Sequence, residues 1–234
     1  MKPLPYRRLA VAVLVIGLVA AACSSATRSA PPAAPAPPAP APVVVSSDAA
    51  AIARAKADSA VLPWTAADAH FMAGMIAHHA QAILMAGWAA DRAASPSVRT
   101  LAERIITAQQ DEIVILQQWL SDRLQPVPEP DPAGMKMSMG GAEHTMLMPG
   151  MLTPDQLKQL EQVRGREFDR LFLTFMIQHH RGAVSMVNEL FSARGAGQNQ
   201  LVFKVASDIN VDQTTEIARM EKMLAAMTSE PRIP

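Results

Sequence analysis

The 234-residue chain is short of cysteine, aromatics and charge imbalance. One cysteine, Cys23, excludes an internal disulfide framework and any cysteine-built zinc site. Aromatic residues make up 4% of the chain, and Ala, Leu and Met supply most of the remaining apolar half, which favours helix over sheet. Lys plus Arg number 21 and so do Asp plus Glu, with no basic cluster. Nucleic acid is therefore not an expected partner, because phosphate binding needs concentrated positive charge. Nucleophile elbow, phosphate-binding glycine loop and zinc-protease helix motif are all missing. No glutamate has a histidine three residues later, the pairing that a ferritin-like two-metal oxidase requires. The residue in excess is methionine, present 15 times.

The chain divides into three parts. Residues 1–22 read as a signal peptide, with Arg7 and Arg8 before an apolar run over residues 9–22 that is too short to span a bilayer, since a spanning helix needs roughly 20 residues. Ala20, Ala21 and Ala22 precede Cys23 and resemble a bacterial lipobox, although Ala20 stands where leucine is usual. Lipidation of Cys23 is the expectation and plain secretion the alternative; either way the folded part lies outside the cytoplasm, anchored to or released from the membrane. Residues 23–63 form the lipid-anchor cysteine and a linker. Between Pro31 and Pro42, seven of twelve residues are proline and the rest alanine, an extended spacer. Residues 64–228 carry helical patterning, interrupted at 125–150 by a stretch rich in Pro, Gly and Met that reads as a long loop.

Helix signals punctuate this third part. Thr65 and Asp68 have capping-box spacing, Ser95-Pro96 is a second start, and Thr153-Pro154-Asp155 a third, with Gly165 breaking that stretch before a long helix to about Ala193. Gly195-Ala196-Gly197 precedes the last helix. The two halves repeat: Asp68, Phe71, Met75, His78, His79, Ala82 and Met85 recur 101 residues later as Asp169, Phe172, Met176, His179, His180, Ala183 and Met186. In the second helix of each half, Ile105, Gln109, Glu112 and Ile113 recur 104 residues later as Ile209, Gln213, Glu216 and Ile217. Two duplicated helical hairpins, each with one apolar stripe, predict an all-α four-helix bundle.

The chemistry concentrates in Met75-Ile76-Ala77-His78-His79 and Met176-Ile177-Gln178-His179-His180. Each methionine sits one turn before its histidines on the same helix face, and Met85 and Met186 follow later. Adjacent histidines diverge by about 100° on a helix, so one of each pair is expected at the bundle axis and the other on its flank. Either these are core histidines satisfied by hydrogen bonds among space-filling methionines, or they share a metal ion that offsets the desolvation of four imidazoles. Glu112 and Glu216, inside otherwise apolar stripes, are expected to meet the histidines as hydrogen-bond acceptors or co-ligands, or else to pair with arginines or neighbouring helices. Met135, Met137, Met139, Met146, Met148 and Met151 put six methionines into seventeen residues, with His144 among them. Either this is a linker of biased composition, or its thioethers, with imidazole, hold Cu(I) or Ag(I) in preference to hard cations.

These motifs closely resemble the bacterial family known as domain of unknown function 305, whose hallmarks look like Met148-Pro149-Gly150-Met151, Phe168-Asp169, the two Met/His-His segments, and Arg181-Gly182-Ala183. Phe175 stands where relatives often have a second methionine. The resemblance implies a ferritin-like four-helix fold in secreted or membrane-anchored proteins, some associated with copper. It directs attention to His78, His79, His179, His180, Met75 and Met176. Three functions remain: a protein that sequesters Cu(I) or hands it to a copper-handling partner, a metal-free helical interaction module, and, least favoured, a metal oxidase.

Overall fold

The computed structural model describes residues 63–139 and 142–229. The expected signal segment, Cys23 and the Pro/Ala-rich linker lie outside the described residues. Helix α1 spans Ala66–Gly87, α2 Ala89–Arg92, α3 Pro96–Ser121, α4 Pro154–Gln162, α5 Gly165–Ser192 and α6 Gln200–Ser229; strands β1 (Met135–Met139) and β2 (Ala142–Met146) lie between α3 and α4. No helix among the described residues is long and apolar enough to cross a membrane.

The expected all-α bundle is present. Helices α1 and α3 form one hairpin, α5 and α6 the other, and the two join mainly where α1 packs on α5. Local chemistry sets the boundaries. Thr65 and Asp68 form a reciprocal capping box at the start of α1, and Thr153 and Gln156 form another at α4. Pro96 opens α3 in the first turn, where its missing N–H costs nothing. Gly165, at φ +65°, separates α4 from α5, and Asn199 Oδ1 accepts from Leu201 and Val202 N–H at the start of α6.

Two apolar clusters stabilise the bundle. One holds Phe71, Met75, Trp119, Met186 and Ile209; the other holds Met85, Leu101, Phe168, Phe172 and Met176. Each such side chain contributes about 1.5–3 kcal/mol by leaving water.

Asp68 and Asp169 explain their own recurrence. Asp68 Oδ1 accepts from Gly197 N–H at 2.7 Å, while Asp169 accepts from Ala94 and Ser95 N–H at 3.2 and 2.9 Å. Each aspartate therefore clasps the interhelical turn of the opposite hairpin. Both are buried, so these charge-assisted bonds are well shielded from solvent.

Residues 135–139 and 142–146 differ from the expected loop, since β1 and β2 pair antiparallel with Met135 opposite Met146 and Met137 opposite His144. The alternation Met-Lys-Met-Ser-Met is a period-two strand pattern, and it outweighs the nearby Pro and Gly that signalled irregular structure.

Candidate metal centre

The four histidines lie within the bundle, each with 0% exposure. His78 and His179 meet at the contact between α1 and α5, with ring centroids 3.8 Å apart and planes tilted by 39°. His79 and His180 flank this pair, each 6.3 Å from its sequence neighbour's ring. The duplicated motifs thus form one cluster rather than two separate ones, with the predicted division between axis and flank.

The flanking rings turn to the second helices. His180 Nε2 donates to Glu216 Oε2 at 2.7 Å. His79 Nε2 stands 2.7 Å from Glu112 Oε2, at contact distance but off the line of a directed hydrogen bond. At the axis, His78 Nε2 lies 3.0 Å from the Pro149 carbonyl. A carbonyl only accepts, so the proton sits on Nε2 and the Nδ1 lone pair is left open. Nδ1 of all four histidines, and Nε2 of His79 and His179 as well, have no hydrogen-bond partner in the structure.

Burial and mutual repulsion keep the axial rings neutral. Desolvation, then the neighbouring His79, lowers His78 from 6.5 to about 3. His179 is also held well below 6.5, first by desolvation and then by His78 and its neighbours. Neutral imidazole is the form that coordinates metals. Ligating histidines usually donate their other ring N–H to a carboxylate or carbonyl, and His78 and His180 already show that arrangement, with His79 close to it. The residues present therefore fit a soft ion. Among the described residues no three His, Cys, Asp or Glu side chains form a group that could hold a metal, the four buried histidines included, so an ion of any kind would need these rings to shift or thioethers to complete its shell.

Pro149 reaches His78 because of two residues that were not picked out as site residues from the sequence. Gly182 on α5 receives the turn at residues 148–151: a Cβ at Gly182 would lie 2.0 Å from Pro149 O and 2.5 Å from Gly150 Cα. Gly150 takes φ +80° to make that turn. At the position equivalent to Gly182 in the first repeat stands Gln81. Its Oε1 accepts from Leu152 N–H at 2.6 Å, and its Nε2 donates to Leu152 O and Pro132 O. One repeat admits the turn and the other ties it down. The available signal was the contrast between Ala80-Gln81 and Arg181-Gly182 after otherwise matching histidine pairs.

The thioethers separate into groups. Met75 and Met186 share a cluster with Met148 and Met151, whereas Met85 and Met176 lie in the other apolar cluster. Met135, Met137 and His144 belong to the β-hairpin, where Met135 and Met137 share a face with Met146 and His144 opposite. Met139 ends β1. Glu112 and Glu216 are partly buried and reach the histidines rather than arginines.

A solved structure of a candidate secreted DUF305 protein from Streptomyces coelicolor is 29% identical, with a TM-score of 0.58, covering 72% of this chain and 98% of that one. CopM in its Cu(I)-bound form is 28% identical at a TM-score of 0.52, covering 70% of this chain and 98% of that one; it is also known in Cu(II)- and silver-bound forms. Uncharacterized protein L153 of Acanthamoeba polyphaga mimivirus is 39% identical over 56 residues, which span 24% of this chain and 37% of that protein. The profile described as "Domain of unknown function (DUF305)" matches residues 68–224, which include both hairpins and all four buried histidines. The chain belongs to the DUF305 family.

Proposed function

We propose that this protein binds Cu(I) or Ag(I) outside the cytoplasm and sequesters the ion or hands it to a partner protein, held at the membrane by a lipid on Cys23. The observation that carries the reading is the set of four buried imidazoles whose Nδ1 atoms lack partners, with Nε2 of His78, His79 and His180 facing oxygen. Left empty, each unpartnered buried nitrogen costs about 1–3 kcal/mol; an ion coordinated there offsets that cost. Neutral nitrogen and sulfur donors favour soft monovalent metals. The copper- and silver-bound forms of CopM, a relative in fold and sequence, support the choice of ion. The Streptomyces coelicolor relative supports a site of action beyond the cytoplasm.

In this reading His78, His79, His179 and His180 supply nitrogen, and Glu112, Glu216 and Pro149 O orient the rings. Met75, Met85, Met176 and Met186 supply nearby sulfur. The hairpin face with Met135, Met137, Met146 and His144 is a second, more accessible set of soft donors suited to capture or transfer. Competition with a chromophoric Cu(I) chelator tests the assignment. Replacing Glu112 and Glu216 by Gln should weaken binding by about 10–100-fold, and replacing His78 and His179 by Ala should remove the bundle site. Affinity and stoichiometry unchanged in both variants would leave a helical scaffold that holds no ion in its core.

A further inference from the structure

Outside the histidine cluster the internal repeat is broken at one place. Between α1, α5 and the turn at residues 148–151 lies a cavity of about 130 Å³, lined by His70, Phe71, Met148, Pro149, Met186 and Glu189. His70 and Glu189 are exposed, whereas Met148 and Met186 are 4% and 6% exposed. Gly74 lies one turn after His70 on the same face of α1. A Cβ there would stand 2.7 Å from Met148 Sδ and 3.5 Å from the Met186 methyl, so both thioethers reach that face because Gly74 has no side chain. The counterparts of His70 and Gly74, 101 residues on, are Leu171 and Phe175, both buried in the second apolar cluster. Where one half packs two apolar side chains, the other presents an imidazole and open space. Core filling accounts for Met85, the counterpart of Met186, which is fully buried. It does not account for a histidine and a glycine that bring two thioethers to an open cavity.

We infer that this cavity is a separate soft-ion site, taking Cu(I) or Ag(I) on the His70 imidazole and the sulfur atoms of Met148 and Met186. Two thioethers and one imidazole are neutral, polarisable donors, which select soft monovalent ions over hard divalent cations. Within the turn, Met148 N–H donates to Met151 Sδ at 3.3 Å, so the Met151 sulfur is engaged there and the Met148 sulfur is the one presented to α1. Glu189, whose Oε1 accepts from the Ser185 hydroxyl at 3.1 Å, adds a negative charge beside the opening that attracts a cation. Pro149 lines the cavity while its carbonyl accepts from His78, so the site and the histidine cluster lie on either side of one residue. The site takes the same class of ion as the proposed core site, but only Met186 is common to the two donor sets, and either can fail alone. With a single nitrogen donor and an opening to solvent it is the weaker of the two and fills after the core.

Silver titration of the full-length chain, labelled with nitrogen-15 in histidine and carbon-13 in the methionine methyls, tests the assignment. The His70 ring nitrogens and the Met148 and Met186 methyls should shift together and saturate with one Ag(I). Met148→Leu should weaken the His70 response at least about tenfold, since losing a ligand costs no less than losing a residue that supports one. Gly74→Ala removes no donor but displaces the Met148 sulfur, and should weaken the response as well. Circular dichroism identifies a variant that fails to fold; Met148→Leu conserves volume, so it decides the matter if Gly74→Ala does not fold. A His70 response without the two methyls, or one unchanged in folded Met148→Leu, is binding by a lone surface imidazole and overturns the inference. Shifts confined to the buried histidines would overturn it too, and leave the core site standing. Shifts at His70, Met148 and Met186 with the buried histidines unmoved would do the reverse.

Discussion

At the residue scale, the donor that a histidine can offer depends on which ring nitrogen carries the proton. His78 donates through Nε2 to a backbone carbonyl that is in place only because Gly182 has no side chain. Gly182→Ala should push the turn at residues 148–151 off α5, break this hydrogen bond and destabilise the fold by about 1–3 kcal/mol, typical of overpacking; urea denaturation measures it. The lowered His78 value gives a pH dependence of definite sign. The unfolded chain takes up a proton near pH 6.5, whereas folded His78 refuses it until about pH 3. Stability is therefore fully present above pH 6.5 and is lost as pH falls from there towards 3, with His179 acting in the same direction. Melting curves of the metal-free protein at pH 7.5 and 5 should show the lower melting temperature at pH 5, and His78→Asn should reduce the difference.

At the scale of elements, the two aspartate clasps lock the hairpins together at opposite ends of the α1–α5 contact. Asp68→Asn and Asp169→Asn should each lower stability by about 1–3 kcal/mol, since each leaves a buried N–H with a poorer partner or none; thermal melts check this. The capping role of Asp68 was legible in the sequence because Thr65 is three residues away. The clasp to Gly197 was not, because its partner is 129 positions distant and is a backbone amide with no side-chain signature. The main helices were legible from apolar spacing and start signals, and the repeat made their pairing legible too. The β-hairpin was missed for a different reason. Pro and Gly around residues 125–150 were read as loop composition, while the alternation within Met135–Met139 carried the strand signal over only five residues. At the site, the four histidines, Glu112 and Glu216 stood out as candidates from their repeat; the tautomers and the Pro149 carbonyl needed the fold.

At the scale of the molecule, an internal duplication produces a nearly symmetric bundle, and a single turn breaks the symmetry by covering the histidine cluster from one side. Because His78 and His179 touch, the two motifs form one cluster. Replacing residues 135–146 by a Gly/Ser linker should remove the hairpin's soft donors while leaving one Ag(I) bound per chain in the core; native mass spectrometry counts the ions.

Ion binding in the core rests on the imidazole Nδ1 atoms being the open donors. Nitrogen-15 resonances of labelled histidines, followed during Ag(I) addition to the purified protein, test it most directly. Ring nitrogens at the Nδ1 positions of the buried histidines should move strongly, while the Nε2–H signals of His78 and His180 persist. Silver binding that leaves every Nδ1 resonance in place, or that shifts only the two exposed histidines, His70 and His144, would rule out an imidazole site in the core.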